Sequence, residues 1–233
     1  PNTEVIYTLG CNHTENFLMK DLGQCVTSEK GNGLKSEFFN NTEFKGEPVY
    51  SGLAKELHYT TGGNTQFAPN VNLTDFSARF TGEFTSPQSG DIEFTISGND
   101  GFRLFIGEEK VAESWTNEYG STKKYTLKAE EGKKYPIKIE YMQAKGSADL
   151  NFSIAVRTPV DYQATANEVK DADVIIFVGG ISPRLEGEEM PVDAEGFKKG
   201  DRLNIEIPTV QKEMVKALKA TGKPIVYVVC TGS

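Results

Sequence analysis

Seven carboxylates crowd the stretch of chain between residues 186 and 206. They are Glu186, Glu188, Glu189, Asp193, Glu195, Asp201 and Glu206. The loop that carries them, from about 179 to 207, follows 174–178, an apolar run typical of a strand covered on both faces of a parallel sheet. Ligands of open α/β sheets bind beyond the carboxyl ends of the strands, which is where this loop is expected to lie. The position suggests chemistry, whereas the composition alone favours a solvated acidic surface.

The chemistry that such a loop could supply is proton donation to a glycosidic oxygen. Hydrolysis of a glycoside uses one carboxylic acid to protonate the leaving oxygen, and a second carboxylate to attack the anomeric carbon or to activate water. The acidic loop could provide the first of these two groups. A second carboxylate would have to come from another part of the protein.

Two further sites could bind a ligand, and each also has a plainer explanation. Asn99 and Asp100 offer oxygen ligands for calcium, but calcium needs about six to eight oxygens. A tight hairpin turn, with Asp100 bonded to backbone amides, is the simpler interpretation of Asn99–Gly101. Trp115, the single tryptophan, could stack on a sugar or fill the core, and we favour the core.

The composition argues against several classes of partner. Lys and Arg number 25 against 33 Asp and Glu, a formal charge of −8, and the clustered positive charge that nucleic acid requires is missing. The longest apolar runs are far shorter than the roughly 20 residues that cross a bilayer. Three cysteines are too few for a disulfide scaffold, and His13 and His58 lack neighbours that would complete a zinc site. We expect no cofactor, no metal and no membrane span.

From about residue 33 to 158, apolar residues recur at every second position, which is the period of a β-strand. The alternation is clearest in the runs 76–84, 92–96, 102–106, 135–141 and 150–156. Short alternating strands with one apolar face each need a second sheet to cover that face. The pattern therefore predicts an antiparallel β-sandwich.

After Pro159 the pattern changes to alternating helix and strand. One helix is predicted around 162–169, and a second follows Pro208 and ends before Gly222. Buried strands are predicted over 174–178 and 225–230.

These elements predict an α+β chain of several domains, in which an antiparallel β-sandwich is inserted into a partial α/β domain with a parallel sheet. Residues 1–30 hold a first strand, over 3–11, and a polar linker; 31–158 form the sandwich; 159–233 form the rest of the α/β domain. Insertion is tolerated when the ends of the inserted domain lie close together. Three parallel strands make a thin sheet, so we expect the chain to be a piece of a longer protein.

Two family resemblances cover nearly the whole chain. The ordered motifs Gly33–Asn40, Ser89–Ile106 and Gly132–Tyr141 resemble the protective antigen domain family. The flanking motifs, Tyr7–Asn12 and Ala172–Met190 among them, resemble the second domain of glycoside hydrolase family 3. Members of that family with this sandwich inserted resemble exo-acting β-glucosidases and β-xylosidases.

The second resemblance implies a retaining two-step mechanism. An aspartate on a TIM barrel is the nucleophile, and a glutamate in the loop ahead of an Asp-Arg pair is the acid/base. In this chain the pattern implies Glu188, with Glu186 as the second choice. Neighbouring carboxylates should raise the proton affinity of that glutamate, because like charges disfavour ionisation. The candidate substrate-binding residues of this domain are Arg184, Asp201 and Arg202, and Trp115 of the sandwich is a further candidate if it stacks on a sugar.

The expected function is therefore a part of a β-glucosidase or β-xylosidase that removes terminal sugars from oligosaccharides or glycosides, with the sandwich capping the substrate pocket. The chain contains no candidate barrel, so the nucleophile is missing and the chain alone should be inactive; the missing barrel would be its partner. A carbohydrate-binding module, with or without calcium, and a structural spacer are the alternatives. A periplasmic or secreted location is favoured for the parent, and a homo-oligomer remains open.

Overall fold

The structure, a computed structural model, describes residues 3–183, 185–187 and 192–230, apart from the side chains of 116–118 and 193. Contacts within the chain divide it into two compact units. One unit is the continuous stretch Met19–Arg157. The other combines the two flanking stretches, up to Leu18 and from Thr158 onward.

Strands dominate the first part of the chain. They are β1 (Phe17–Asp21), β2 (Val26–Ser28), β3 (Gly31–Asn32), β4 (Leu34–Phe39), β5 (Tyr50–Ala54), β6 (Leu57–Thr60), β7 (Phe76–Thr85), β8 (Gly90–Ile106), β9 (Glu109–Ala129), β10 (Lys134–Gln143) and β11 (Asp149–Pro159). Within the described residues they form one eleven-stranded sheet. Its central strand β10 pairs antiparallel with β7 on one side and β8 on the other.

The core of this sheet confirms the alternation in the sequence. Phe80 and Phe84 of β7, Phe94 of β8 and Ile139 of β10 are completely buried, while their neighbours along each strand face outward. The antiparallel, sandwich-type fold predicted from the period of two is therefore confirmed.

The predicted hairpin turn at Asn99–Gly101 is wrong. β8 runs without a break from Gly90 to Ile106, and its register with β9 shifts on both sides of Asp100. Asp100 has a positive φ of 55°, so the two runs that we assigned to separate strands are one strand kinked by a β-bulge. Turns and bulges both favour small polar residues and glycine, so the sequence Asn99–Gly101 does not distinguish between them.

The amino-terminal region differs from its prediction in two ways. Thr3–Cys11 forms no strand within the described residues, and Val5 and Tyr7 are each 84 % exposed. Conversely, the predicted polar linker contains strands β1 and β2, because two apolar residues within it, Leu22 and Val26, are buried in the sandwich core.

The remaining elements are α1 (Tyr162–Val169), β12 (Ile175–Gly180), β13 (Asp193–Ala194), β14 (Phe197–Lys198), β15 (Asp201–Arg202), α2 (Thr209–Lys219) and β16 (Ile225–Cys230). Both predicted helices are confirmed. The Asp161 carboxylate accepts the Ala164 amide and caps α1. β12 and β16 pair in parallel, as predicted, and β13 to β15 form a small antiparallel sheet inside the region predicted as a loop.

Within the described residues, the parallel strands are covered on one face only, whereas the apolar run predicts burial on both faces. Ile175 and Phe177 pack in a cluster with Val210 and Met214 of α2. Ile176 of β12, on the opposite face, is 63 % exposed. The sequence pattern indicates a strand that can be covered on both faces, and the described helices cover one of them.

Among the described helices, none is long and apolar enough to span a membrane.

Candidate functional site

The acidic loop leaves β12 at a position that only glycine can occupy. Gly180 has a φ of +126°, and a Cβ atom built on it would lie 1.9 Å from the Cys230 carbonyl oxygen. The next residue, Ile181, donates its amide hydrogen to that same oxygen at 2.7 Å. The loop therefore begins immediately beside the carboxyl ends of both parallel strands, which is the usual ligand-binding edge of such a sheet.

Backbone hydrogen bonds hold the first part of the loop against the small sheet. Leu185 donates its amide hydrogen to the Ser182 carbonyl at 2.9 Å, and Gly187 donates to the Gly200 carbonyl at 3.1 Å. Gly200 directly precedes Asp201, the first residue of β15. The structure thus brings Glu186 and the Asp201–Arg202 pair, separate in sequence, to one side of the unit.

A cavity of about 610 Å³ lies at this edge. One wall is the segment Asn12–Glu15. The opposite side is formed by residues of the loop and the small sheet, namely Ser182, Leu185, Val192, Ala194 and Glu195. Polar groups around a concave site of this size are typical of a binding pocket.

Glu195 is the carboxylate in this lining whose role is clearest. Its two oxygens accept the side-chain hydroxyl of Thr209 at 2.6 Å and the backbone amide of Thr209 at 3.0 Å. These hydrogen bonds hold the pKa of Glu195 below its ordinary value. A group that must donate a proton near neutral pH needs a raised pKa, so Glu195 is suited to anchoring the start of α2 and not to general acid catalysis.

The predicted catalytic and substrate-binding residues of the loop differ in exposure and in hydrogen bonding. Glu186 is half-buried. Asp201 is exposed and pairs in register with Lys198. Arg202 donates from Nε to the Asn204 carbonyl at 2.8 Å. Glu188 and Arg184 lie outside the described residues, and the catalytic and substrate-binding assignments stay predictions.

Asn99 and Asp100 of the bulge bind the chain itself. Oδ2 of Asp100 accepts the amides of Ala144 and Lys145 at 2.6 and 3.0 Å, and Asp100 is 4 % exposed. Oδ1 of Asn99 accepts the Tyr141 hydroxyl at 3.0 Å and the Asp149 amide at 2.8 Å. These bonds fix the turn between β10 and β11. The described residues contain no group of three or more His, Cys, Asp or Glu side chains placed to bind a metal ion.

Trp115 lies on the outer face of β9 opposite Gly101 of β8, and it is half-buried. The Arg103 guanidinium lies over its ring. A Cβ on Gly101 would approach the indole to 3.1 Å, so the glycine makes room for the ring. A sugar stacking on the face that Arg103 covers would have to displace that side chain.

Gln211 is a residue of this site that no sequence motif indicated. It lies in α2 beside the apolar residues Val210 and Met214, is 2 % exposed, and its side-chain amide binds Gly180 at the start of the acidic loop. A polar residue within the apolar stripe of an amphipathic helix was the available signal.

The family of the sandwich follows from a comparison with family models. The PA14 domain model matches residues 30–171, more than half of the chain. The chain belongs to the PA14 domain family.

Two curated relatives of this PA14 chain are similar over most of its length. A xylan 1,4-beta-xylosidase of Xylanibacter ruminicola is 39 % identical over 99 % of this chain and 27 % of that protein. A beta-glucosidase of Rhizobium radiobacter is 26 % identical over 84 % of this chain and 24 % of that protein. The PA14 chain thus spans about a quarter of the length of these relatives.

A solved structure shares the fold of the PA14 chain. The crystal structure of the beta-glucosidase from Kluyveromyces marxianus superposes with a TM-score of 0.60 and 17 % sequence identity. The match covers 97 % of this chain and 28 % of that one. At this identity the likeness describes fold alone.

Proposed function

We propose that this chain is part of a retaining, exo-acting β-glycoside hydrolase of the family 3 type, a β-xylosidase or β-glucosidase. One observation carries the proposal: the similarity to the xylan 1,4-beta-xylosidase extends over 99 % of the chain, through the PA14 sandwich and the flanking unit alike. A shared sandwich alone would suggest only a shared module. Similarity across both units supports a shared protein architecture, with the xylosidase as the first choice.

In this proposal, the unit formed by the two flanking stretches is part of an α/β domain, and the PA14 domain is inserted into it. The parallel pair β12 and β16, with α1 and α2 on one face, is the described portion of that domain. The nucleophile comes from a barrel domain elsewhere in the parent. The chain alone therefore does not form the glycosyl-enzyme intermediate and is inactive.

The proposed acid/base is Glu188, with Glu186 as the second choice. In the first step, this carboxylic acid protonates the glycosidic oxygen as the bond to the anomeric carbon breaks, and the barrel aspartate forms the new bond to that carbon. In the second step, the resulting carboxylate removes a proton from the attacking water, whose oxygen displaces the aspartate. The hydrogen bond from Gly187 to Gly200 supports this role, because it anchors the loop between the two glutamates.

The deciding experiment measures the full-length parent on a panel of aryl β-glycosides and on xylo-oligosaccharides. Wild-type enzyme should hydrolyse β-xylosides. In kcat/KM, which reports the first step, Glu188→Ala should lose about 10²- to 10⁴-fold on substrates with poor leaving groups and much less on activated aryl glycosides, because only the former need the acid. Turnover of the activated substrate should still fall, because the same residue is the base of the second step. Added azide should restore turnover of the activated substrate and yield a β-glycosyl azide.

Glu206→Ala is the matched control, since Glu206 is an exposed carboxylate of the same region, paired with Lys212. It should leave both rates unchanged. A loss under tenfold for Glu188→Ala on natural substrates would move the assignment to Glu186 or out of this loop. A wild-type parent inactive on every β-glycoside would overturn the proposal itself.

The PA14 sandwich, in this proposal, caps the substrate pocket and shapes specificity for the leaving part of the substrate. Changes in sandwich loops should then alter KM for long substrates more than for short ones. Hydrolysis of xylobiose and xylohexaose by loop variants measures the difference. Equal effects on both substrates would leave the sandwich without a role in specificity.

A carbohydrate-binding module is the second candidate, and one cavity favours it. A groove of about 710 Å³ in the sandwich has a floor of buried apolar residues and a rim of hydroxyl and amide groups, together with the charged side chains of Asp21, Lys55 and Glu56. Leu34 and Leu57 belong to the floor; Ser97, Asn151 and Ser153 belong to the rim. Such a combination suits a hydroxyl-rich ligand, whose hydroxyl groups can pair with the polar and charged side chains of the rim.

Calorimetry separates the two functions. Titration of the chain with xylo-oligosaccharides, with and without calcium, should show micromolar binding if the sandwich is a binding module. Dependence on calcium and on Asp100 would favour a site at the bulge, and loss of binding in Asn151→Ala would favour the groove. If no binding is observed, the binding-module function is excluded and the hydrolase proposal is unaffected.

A further inference from the structure

We infer that Gln211 is a positioning residue for the loop that carries the proposed acid, an inference that rests on the proposed function. Gln211 is 2 % exposed and sits in the apolar face of α2. Burying a primary amide is unfavourable unless its donors and acceptor are satisfied. The groups that satisfy it therefore indicate what the residue does.

The amide of Gln211 pairs with a single backbone residue as a neighbouring strand would. Its Oε1 accepts the Gly180 amide at 2.6 Å, and its Nε2 donates to the Gly180 carbonyl at 2.6 Å. An antiparallel partner exchanges the same two bonds with a residue opposite it. The side chain of a helix thus takes the place of a strand at the last residue of β12.

The remaining hydrogen-bonding capacity of Gln211 reaches two other segments. Nε2 also donates to the His13 carbonyl at 2.8 Å, and the Tyr227 hydroxyl of β16 donates to Oε1 at 3.3 Å. Both amide hydrogens and two acceptor positions are therefore in use.

Two of these partners belong to the segments that lead into the lining of the candidate cavity. His13 belongs to the wall formed by Asn12–Glu15, while Gly180 is two residues before Ser182 on the loop side. The Ser182 carbonyl accepts the amides of both Leu185 and Glu186, which makes residues 182–186 a hydrogen-bonded turn. Because this turn begins two residues after Gly180, its position depends on the position of Gly180. One buried amide fixes the two walls of the cavity relative to each other.

The position of a general acid is sensitive to such a support. An error of about 1 Å in a reacting group can cost about 10²-fold in rate. Gln211→Met keeps the length of the side chain and removes all four hydrogen bonds. Gln211→Glu keeps the shape, but an ionised carboxylate would face the carbonyl oxygens of Gly180 and His13. The buried carboxyl is favoured in its protonated form, which restores one of the two donated bonds.

The test measures kcat/KM of the full-length parent for two aryl β-glycosides, one with a poor and one with a good leaving group. Gln211→Met should lose about tenfold to 10²-fold more on the poor leaving group, because that substrate depends on the acid. Gln163→Met, the same change at an exposed position of α1, is the matched control and should match wild type. Gln211→Glu should show a ratio to wild type that falls as pH rises.

Dividing by wild type at each pH removes the contributions of the titratable groups that belong to the cluster and cavity around Gln211, which are Glu4, Tyr7, Cys11, His13, Tyr162, Asp171, Asp173 and Tyr227. Equal losses on both substrates, or wild-type rates in Gln211→Met, would overturn the inference. If Gln211→Met does not fold, a Gln211→Glu ratio that is independent of both pH and leaving group overturns it instead. A wild-type parent inactive on both substrates overturns the proposed function, and the result is seen before any variant is compared.

Discussion

The guanidinium carbon of Arg103 lies 3.8 Å from the centroid of the Trp115 indole ring. Arg103 also donates from Nε to Glu113 at 2.7 Å, and Glu140 lies between it and Arg79, 3.8 Å from a nitrogen of each. Four charged residues face one another in a row across neighbouring strands of the outer face: Arg79, Glu140, Arg103 and Glu113. The indole is therefore part of a charged network, with one ring face covered by a cation.

Removing this cation should change the single tryptophan of the chain. Arg103→Met should shift the emission of Trp115 and lower the free energy of unfolding by about 1 kcal/mol, the usual size of a partly exposed cation–π contact. Urea denaturation followed by tryptophan fluorescence measures both. Lys138→Met, which removes a cation 3.9 Å from the Phe105 ring, is the control and should leave the emission unchanged. Unchanged emission in Arg103→Met would contradict the contact.

The bulge in β8 should depend on Asp100. Asp100→Ala leaves the amides of Ala144 and Lys145 without their acceptor and should cost about 2 to 4 kcal/mol of unfolding free energy, including about 1 for alanine at positive φ. Asp100→Asn keeps an acceptor oxygen, and asparagine tolerates this backbone, so it should cost less than half as much. Chemical denaturation compares the two variants, and equal losses would argue against the role of the acceptor.

Glu93 should contribute stability that is lost in acid. Burial by itself raises its pKa, but hydrogen bonds and charge from Lys124 and Arg157 outweigh burial, so the pKa lies below its ordinary value. A lowered folded-state pKa stabilises the protein above the unfolded value, about 4.3, and this contribution is lost as pH falls through the folded value.

The matching experiment compares Glu93→Gln with wild type from pH 7 to pH 3. The variant should be less stable by about 1 to 3 kcal/mol at pH 7, and the difference should shrink below about pH 4. Glu83→Gln, which removes a more exposed ion pair with Lys134, should show a smaller difference. A difference for Glu93→Gln that persists unchanged at pH 3 would be inconsistent with the ion pairs as its cause.

The glycine at the end of β12 should be intolerant of any side chain. Gly180→Ala combines positive φ with the contact to the Cys230 carbonyl and should unfold the unit that contains β12 and β16, or cost it more than about 3 kcal/mol. Gly222→Ala is the control, since Gly222 also has positive φ (75°) but has no atom within 4 Å of a built Cβ. It should cost about 1 kcal/mol. Thermal unfolding compares the two variants. Equal losses of stability in Gly180→Ala and Gly222→Ala would show that the contact with the Cys230 carbonyl has no effect.

Thiol reactivity should separate two of the three cysteines. Burial raises the pKa of Cys11 to about 11, while Cys230 is exposed. The thiolate is the reactive form, so alkylation by iodoacetamide at pH 8 should modify Cys230 well before Cys11. Mass spectrometry of timed samples gives the order. Faster reaction at Cys11 would show that its surroundings are more open than the structure describes.

The sequence was most informative where one simple period governed a segment. Alternation around Phe80 and Phe94 predicted strands of the sandwich, and the Pro208 and Gly222 signals predicted α2. It failed where tertiary partners decide. The apolar segment Thr3–Cys11 has strand-forming residues but no neighbouring strand within the described part of the chain, so its local preference is not realised.

The candidate site shows the same division. The acidic composition of the loop and its place after β12 could be predicted, because both depend on local sequence. The role of Gln211 could not, because its significance comes from a helix residue meeting a strand end and the His13 segment. Likewise, Glu195 resembles the other loop carboxylates in sequence, and only its hydrogen bonds to Thr209 distinguish it.

The hydrogen bond from the Val160 amide to the Asn16 carbonyl joins the two flanking stretches of one unit. During synthesis, the residues around Asn16 leave the ribosome long before Val160 is made, and the entire sandwich is translated in between. The early stretch, whose Cys11 and Leu18 pack against the apolar cluster of this unit once it is folded, must therefore wait without its partner while the sandwich folds. The order of translation makes this unit the later of the two to close, and it leaves an apolar segment of the nascent chain open to chaperones in the meantime.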